Sequence, residues 1–325
     1  MDIIKTNNIC EISFIIPCYK SEKTISKVID EVCFTSDRLN ISNYEIICVD
    51  DCSPDNVFDE LKKLANKYSC VKAIRFAKNF GQHAGMIAGI KNSCGRICVF
   101  LDDDGQCPIE KLDVLIAPLA NGFDVSMASY AKKKQSLFKN IGSKFNELVV
   151  NLLVDKPKEI QMTNFIAIKR FVADELTKYN GPYPYISGLL FRSSSKITNV
   201  PMEERNRMDG GTTYSLKKLV LLWSNSFTAF SIKPLRFSTF LGISTSCIGG
   251  FLAVLTVMRK IIYPSILIGW SSVISIILIL GGITLFVLGI IGEYVGRIYM
   301  SLNATPQFVI SEKYNFDESI DKNDK

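Results

Sequence analysis

From Phe237 to Gly292 the chain carries only two charges, Arg259 and Lys260. Phe237 to Met258 is an uncharged run of 22 residues, about 33 Å long as an α-helix and so able to cross the hydrocarbon core of a bilayer. Ile261 to Gly292 is again uncharged. Pro264 is expected to break it, leaving a second span near Ile268–Ile291. Burying two such helices in a soluble core would need a far larger protein than the residues before them supply. Two spans return the chain to its starting side. Lys217, Lys218, Lys233, Arg236 and Arg297 flank them there, against Arg259 and Lys260 in the hairpin, a bias that favours a cytoplasmic amino-terminal domain. The expected layout is a cytoplasmic domain over 1–212, an interfacial amphipathic region over 213–236, two transmembrane helices over 237–292 and a cytoplasmic tail over 293–325. Leu216–Trp223 and Leu137–Leu153 each mix apolar and basic residues. Either could lie on the bilayer or pack on its own domain.

The remaining sequence reads as globular. A 47% hydrophobic content and the lack of a fixed-period repeat exclude disordered, collagenous and solenoid classes. A net charge of +6 without dense basic stripes argues against a nucleic-acid groove and suits a surface near anionic lipid or phosphates. Ten cysteines could suggest a disulfide framework. Most, however, sit in or beside apolar runs, and the closest spacings, Cys48/Cys52 and Cys94/Cys98, are not those of a zinc knuckle. With a single histidine, neither disulfides nor structural zinc is expected, and many unpaired thiols fit a reducing compartment. Met1–Cys10 is polar and leads directly into a strand, unlike a signal peptide.

Strand-like runs at Ile12–Ile16, Tyr44–Val49, Val71–Phe76, Ile97–Leu101 and Asp124–Ser129 alternate with helical stretches at Thr24–Phe34, Val57–Lys67, His83–Lys91 and Ile109–Leu119. This alternation predicts an α/β domain with a mainly parallel sheet, which binds ligands beyond the carboxyl ends of its strands. Asp50-Asp51 and Asp102-Asp103-Asp104 follow two of those strands. Consecutive aspartates repel one another, and a divalent cation relieves them. The period-two spacing of Asp102 and Asp104 puts both on one side of an extended segment. With Gln106 they form a hard-oxygen set suited to Mg²⁺ or Mn²⁺, the alternative being a solvated acidic turn. No GxGxxG follows the first strand and no GxxxxGK[ST] occurs, which disfavours a Rossmann cofactor and excludes a P-loop ATPase.

The segments Ser13–Tyr19, Val49–Asp55, Asn79–Ala84 and Leu101–Pro108, then Glu203–Tyr214, Lys233–Arg236 and Gly292–Tyr299, together resemble the successive motifs of family 2 (GT-A fold) glycosyltransferases. More narrowly, they are similar to the membrane-bound group that acts on polyprenyl phosphates. The resemblance implies an inverting transfer of a sugar from a nucleotide donor, uridine-linked, to undecaprenyl phosphate at the cytoplasmic membrane, with the chain as a multi-pass protein. A role in cell-surface polysaccharide or lipopolysaccharide modification follows from it, and a homo-oligomer is compatible with it.

By the same resemblance, Pro17, Tyr19 and Glu22 line the nucleotide pocket and Asp51, beside Asp50, reads the base. Asp102 and Asp103 bind the donor, Asp102, Asp104 and Gln106 hold the metal, and Asp104, Arg205 and Arg207 form the catalytic set. Arg205 and Arg207 meet the acceptor phosphate, followed by Gly210, Thr212 and Tyr214 at the family's spacing. His83 matches a histidine of close relatives, with helix capping as its alternative role. The sequence also departs from the pattern. Ser21 stands where a glutamate is expected, Cys107 replaces an aspartate, and Ser129 replaces an arginine, with Lys132, Lys133 and Lys134 following. Gln161-Met-Thr-Asn164 carries no carboxylate where relatives have a proposed base. A phosphate monoester is already largely dianionic at neutral pH and needs none. A different lipid acceptor such as a diacylglycerol, or a silent membrane scaffold of the same fold, stays open.

Overall fold

A computed structural model describes residues 10–130, 160–181, 184–203, 205, 233–263, 269–303 and 305–316. The expected interfacial helices at Leu137–Leu153 and Leu216–Trp223 lie outside these residues, as do Lys132–Lys134, Arg207, Gly210, Thr212 and Tyr214. The chain forms two units, one of 1–151, 155–215 and 304–325, the other of 152–154 and 216–303.

The first unit is built on eight strands: β1 (Ile12–Cys18), β2 (Tyr44–Asp50), β3 (Val71–Phe76), β4 (Ile97–Phe100), β5 (Val125–Tyr130), β6 (Ile166–Lys169), β7 (Ile197–Met202) and β8 (Ile310–Tyr314). They lie in the order β7-β5-β6-β4-β1-β2-β3-β8. The β1–β2, β1–β4, β2–β3 and β5–β7 pairs are parallel, whereas β6 and β8 run against their neighbours. Alternation of side chains along each strand divides the core. Phe14, Ile16, Ile46 and Cys48 face α1 (Ile25–Arg38) and α2 (Val57–Lys67), while Ile47, Val49, Ile74 and Phe76 face α3 (Gln82–Lys91). A 3₁₀ turn at Ile109–Lys111 leads into α4 (Leu112–Ala120), and α5 (Arg170–Thr177) and α6 (Ile186–Ser193) are the further helices among the described residues of this unit.

The second unit contains α7 (Lys233–Ile262) and α8 (Trp270–Leu302). The expected break near Pro264 falls between them, but α8 continues through Leu302, well past Gly292. Among the described residues one segment, Ile279–Leu302, is long and apolar enough to cross a membrane, with a mean hydropathy of 1.8. The structure therefore supports one of the two expected spans by length and composition.

After α8 the chain returns to the sheet. β8 closes the β3 edge, pairing Ala73 with Tyr314 and Arg75 with Glu312. Phe308 stacks on Phe76 with centroids 5.2 Å apart, and Asn315 Nδ2 donates to Val71 O at 2.6 Å. An edge strand left bare would expose a row of unpaired backbone groups, and β8 removes that hazard. Replacing Phe308 by alanine should destabilise the full chain by about 1–3 kcal/mol, below the range for a fully buried aromatic because the ring is only half-buried. Glu312→Ala loses only an exposed ion pair with Lys62 and should change stability by less than about 1 kcal/mol. Chemical denaturation in detergent micelles compares the two.

Candidate active site

Four parallel strands and the start of an antiparallel one deliver polar residues to a single edge. β1 ends at Cys18-Tyr19, β2 at Asp50-Asp51, and β4 leads into Asp102–Gln106; β7 leads to Glu203 and Arg205, and Asn164 precedes β6. The turns are tightly set. Lys20 and Cys52 adopt left-handed φ values of 60° and 51°, uncommon for residues with a Cβ and frequent at functional sites. Gly105 takes φ 74° within the aspartate loop, a conformation open to glycine at little cost.

Each carboxylate at this edge meets a different environment. Asp50 is fully buried; Oδ1 accepts from Ser53 N at 2.8 Å and Oδ2 lies 3.2 Å from Arg75 Nε. Burial pushes its pKa up to about 6 despite those contacts. Asp51, only 4% exposed, accepts from Phe80 N at 2.6 Å and Gly81 N at 2.8 Å, fixing the loop that opens α3. Asp103 Oδ2 accepts from Tyr19 N at 2.9 Å and its carbonyl from Thr24 Oγ1 at 2.6 Å, which ties the aspartate loop to the end of β1. Glu22 accepts from Asn56 N at 3.3 Å and donates its own N–H to Asp55 at 3.1 Å, joining the loops after β1 and β2. Pro17, the penultimate residue of β1, is buried, whereas Tyr19 is 43% exposed. The expected nucleotide residues thus lie at one edge of the sheet, with Asp51 accepting from the Phe80 and Gly81 backbone.

Asp102 is the exception. Oδ1 accepts from Gln82 Nε2 at 2.7 Å, and both oxygens accept from Asn164 Nδ2 at 3.1 Å. Among the described residues these hydrogen-bond partners are neutral amides. Burial, with Asp104 and Asp103 repelling it, pushes its pKa up to about 6. Asp104 Oδ1 accepts from Gln106 N at 3.0 Å. The set fits a hard divalent cation: clustered carboxylate oxygens, with the neutral amides of Gln82 and Asn164 orienting Asp102. Gln106 uses Nε2 on Arg205 O at 3.4 Å, which leaves its carbonyl oxygen as the candidate ligand.

Arg205 is brought to this edge, but its guanidinium is already engaged. Nη1 lies 2.5 Å from Glu31 of α1, and Nη2 pairs with Glu110 of the 3₁₀ turn. Its backbone N–H donates to Gln106 O at 3.3 Å. Neither partner is a carboxylate adjacent in sequence, so spacing gives no hint of them. Gln82 was equally invisible. Asn164 lies in the tetrapeptide where a carboxylate is missing, and a third acid beside Asp102 would have raised the repulsion that its amide relieves. His83 sits in the first turn of α3 with its ring edge-on to Tyr185 at 5.2 Å. Burial pushes its pKa down to about 4, keeping it neutral. A cavity of about 470 Å³ lined by Lys111, Ser129, Tyr130, Pro201, Met202 and Glu203 opens at the ends of β5 and β7.

Residues 13–178 match the family model described as glycosyl transferase family 2. An uncharacterized glycosyltransferase of Bacillus subtilis (strain 168) is 31% identical over 308 residues, covering 94% of each chain. The undecaprenyl-phosphate 4-deoxy-4-formamido-L-arabinose transferase of Proteus mirabilis is 27% identical over 309 residues, covering 93% of each. Among solved structures, glucosyl-3-phosphoglycerate synthase of Mycobacterium tuberculosis in complex with Mn²⁺, uridine-diphosphate-glucose and phosphoglyceric acid superposes with a TM-score of 0.50 at 15% identity. That match covers 67% of this chain and 78% of the synthase, and it shows the shared GT-A-like fold.

A cation held at Asp102 would compete with a proton, so its affinity should weaken by about tenfold per pH unit below about 6. Stability follows with a defined sign. A carboxyl whose folded pKa is raised holds its proton longer in the folded state, so it loses stability as pH rises from the ordinary carboxylate value towards about 6. His83, lowered in the fold, gives the opposite slope over an overlapping window, so the bare melting curve does not isolate either group. The rise in melting temperature produced by Mg²⁺ or Mn²⁺ does. It should be clearly larger at pH 7 than at pH 5, and equal rises at both would contradict the competition at Asp102.

Proposed function

The chain belongs to glycosyl transferase family 2, and we propose that it moves a sugar from a uridine-linked nucleotide donor to undecaprenyl phosphate at the cytoplasmic face of a membrane, with inversion at the anomeric carbon. The observation that carries this reading is Asp102, a half-buried carboxylate beside two others whose hydrogen-bond partners are neutral amides. Such a group is built for a cation that arrives with a diphosphate. The name of the Proteus mirabilis relative, which matches along nearly its whole length, supports the lipid phosphate as acceptor.

In the proposed reaction a lipid-phosphate oxygen attacks the anomeric carbon as the bond to the diphosphate breaks. The acceptor arrives ionised, so Gln161 and Asn164 need not act as bases. A Mg²⁺ or Mn²⁺ held by Asp102, Asp104 and Gln106 would neutralise charge on the departing diphosphate. Pro17, Tyr19 and Glu22 border the nucleotide, with Asp50 and Asp103 holding the turns beneath it. Asp51 shapes the base pocket through the Phe80–Gly81 backbone. Arg207 meets the acceptor phosphate. Arg205, clamped between Glu31 and Glu110, positions that segment against the metal loop through Gln106. The cavity beside Lys111 lies on this acceptor side. In-line placement of the two substrates supplies much of the remaining acceleration.

The variants should separate the two substrates. Arg207→Lys replaces a bidentate phosphate fork by a point charge and should raise the apparent KM for lipid phosphate while sparing the donor. Asp51→Asn should do the reverse. Asp104→Asn should cost on the order of 10³-fold in turnover. Titrating each substrate against each variant checks all three, and an Arg207→Lys enzyme that weakens only the donor would overturn the acceptor assignment.

We further propose that α7 and α8 both span the bilayer, with the catalytic unit and the carboxyl terminus cytoplasmic. α7 has 30 residues, about 45 Å of helix. Reporters inserted near Tyr263 and fused after Lys325 should lie on opposite sides of the membrane. Finding both on one side would reduce the spans from two.

A further inference from the structure

At the edge of the sheet opposite the aspartate loop, three elements converge that sequence spacing keeps far apart. Cys10 precedes β1, Glu45 lies in β2, and Cys94 lies in the loop between α3 and β4. One ligand atom from each, two sulfurs and a carboxylate oxygen, lie within 4.8 Å of one another. We propose that Cys10, Glu45 and Cys94 form a site for a thiophilic divalent cation of the zinc class. It is independent of the transferase reading.

Charge and geometry both support the assignment. Glu45 is buried at 4% exposure, and its two oxygens are divided between different partners. Oε2 accepts from Lys72 Nζ at 2.8 Å; Oε1 faces the thiols, with Cys94 Sγ at 3.3 Å, Cys94 N at 2.7 Å and Ser13 Oγ at 2.5 Å. A ligating carboxylate is commonly oriented through its other oxygen in this way. Glu45 and Lys72 cancel before binding. Binding a divalent cation forms two metal–sulfur bonds and one metal–oxygen bond and releases two thiol protons to solvent, so the cluster is neutral afterwards as well. With metal–sulfur bonds of about 2.3 Å, the ligands need to contract by about 1 Å.

The support around the site is stiff. Gly95 N donates to Ser13 Oγ at 2.8 Å, and Arg170 Nε donates to Gly95 O at 2.7 Å. A Cβ on Gly95 would meet Ser13 N at 2.5 Å, so the loop closes on β1 only with glycine there. Cys94 is exposed, which leaves solvent to complete a tetrahedral shell.

The full chain in detergent, reduced and freed of reductant, is titrated with Cd²⁺ and followed by its thiolate-to-metal charge-transfer absorption. One equivalent should produce the band. Cys10→Ser and Cys94→Ser should each remove it and weaken Cd²⁺ affinity by more than about 100-fold, beyond the loss expected from an orienting partner alone. The Cys33→Ser/Cys70→Ser variant should leave it intact. Zn²⁺ should displace Cd²⁺ with loss of the band. A band that survives in Cys10→Ser/Cys94→Ser, or its absence from wild type with both thiols counted free, would overturn the site.

Discussion

Mutual repulsion among the aspartates at the carboxyl edge of the sheet is the constraint around which the catalytic unit is organised. Asp50 is balanced by Arg75 and Ser53, Asp51 by the Phe80 and Gly81 backbone, and Asp103 by Tyr19. Each of these contacts also pins a loop. Charge that would destabilise an isolated turn is thus converted into the fixed geometry of four neighbouring loops. Asp102 keeps its deficit, because neutral amides orient a carboxylate without neutralising it. A cation that raises stability and a donor diphosphate that brings charge of opposite sign are the natural completion of such an edge.

Much of this was legible in the sequence. The β1 to β5 strands and the helices between them follow from apolar runs of strand length alternating with helical periodicity, and the aspartates fall where those strands end. β6, β7 and β8 were not foreseen. β6 has four residues and β8 is split between apolar and charged positions, so neither carries a clear period, and β8 depends on pairing with a strand more than two hundred residues earlier. The site was legible as a set of acids but not as a network. Gln82, Asn164, Glu31 and Glu110 acquire meaning only through tertiary contacts, and so do the Phe80 and Gly81 backbone donors that hold Asp51, the residue expected to read the base.

The proximity of Cys10 and Cys94 is hidden from cysteine spacing for the same reason. The two-residue signature of a zinc knuckle is a local device, whereas Cys10 and Cys94 meet because β1 and β4 are neighbours in the sheet. Arg205 illustrates the converse. Its place in a basic pair suggested phosphate binding, yet Glu31 and Glu110 hold it, and its backbone reaches Gln106. Arg205 and the aspartate loop are therefore joined through the backbone of Arg205 and both the backbone and side chain of Gln106.

The central claim, a sugar transferred onto a lipid phosphate, is tested most directly by the covalent identity of the product. Membranes containing the protein would be supplied with labelled uridine-linked sugars and undecaprenyl phosphate, and the extracted lipid analysed by mass spectrometry. The account predicts a sugar joined through a single phosphate to the polyprenol, formed with wild type and not with Asp104→Asn. Label recovered on a diacylglycerol, or no lipid product from any donor while the protein is folded and cation-loaded, would contradict it.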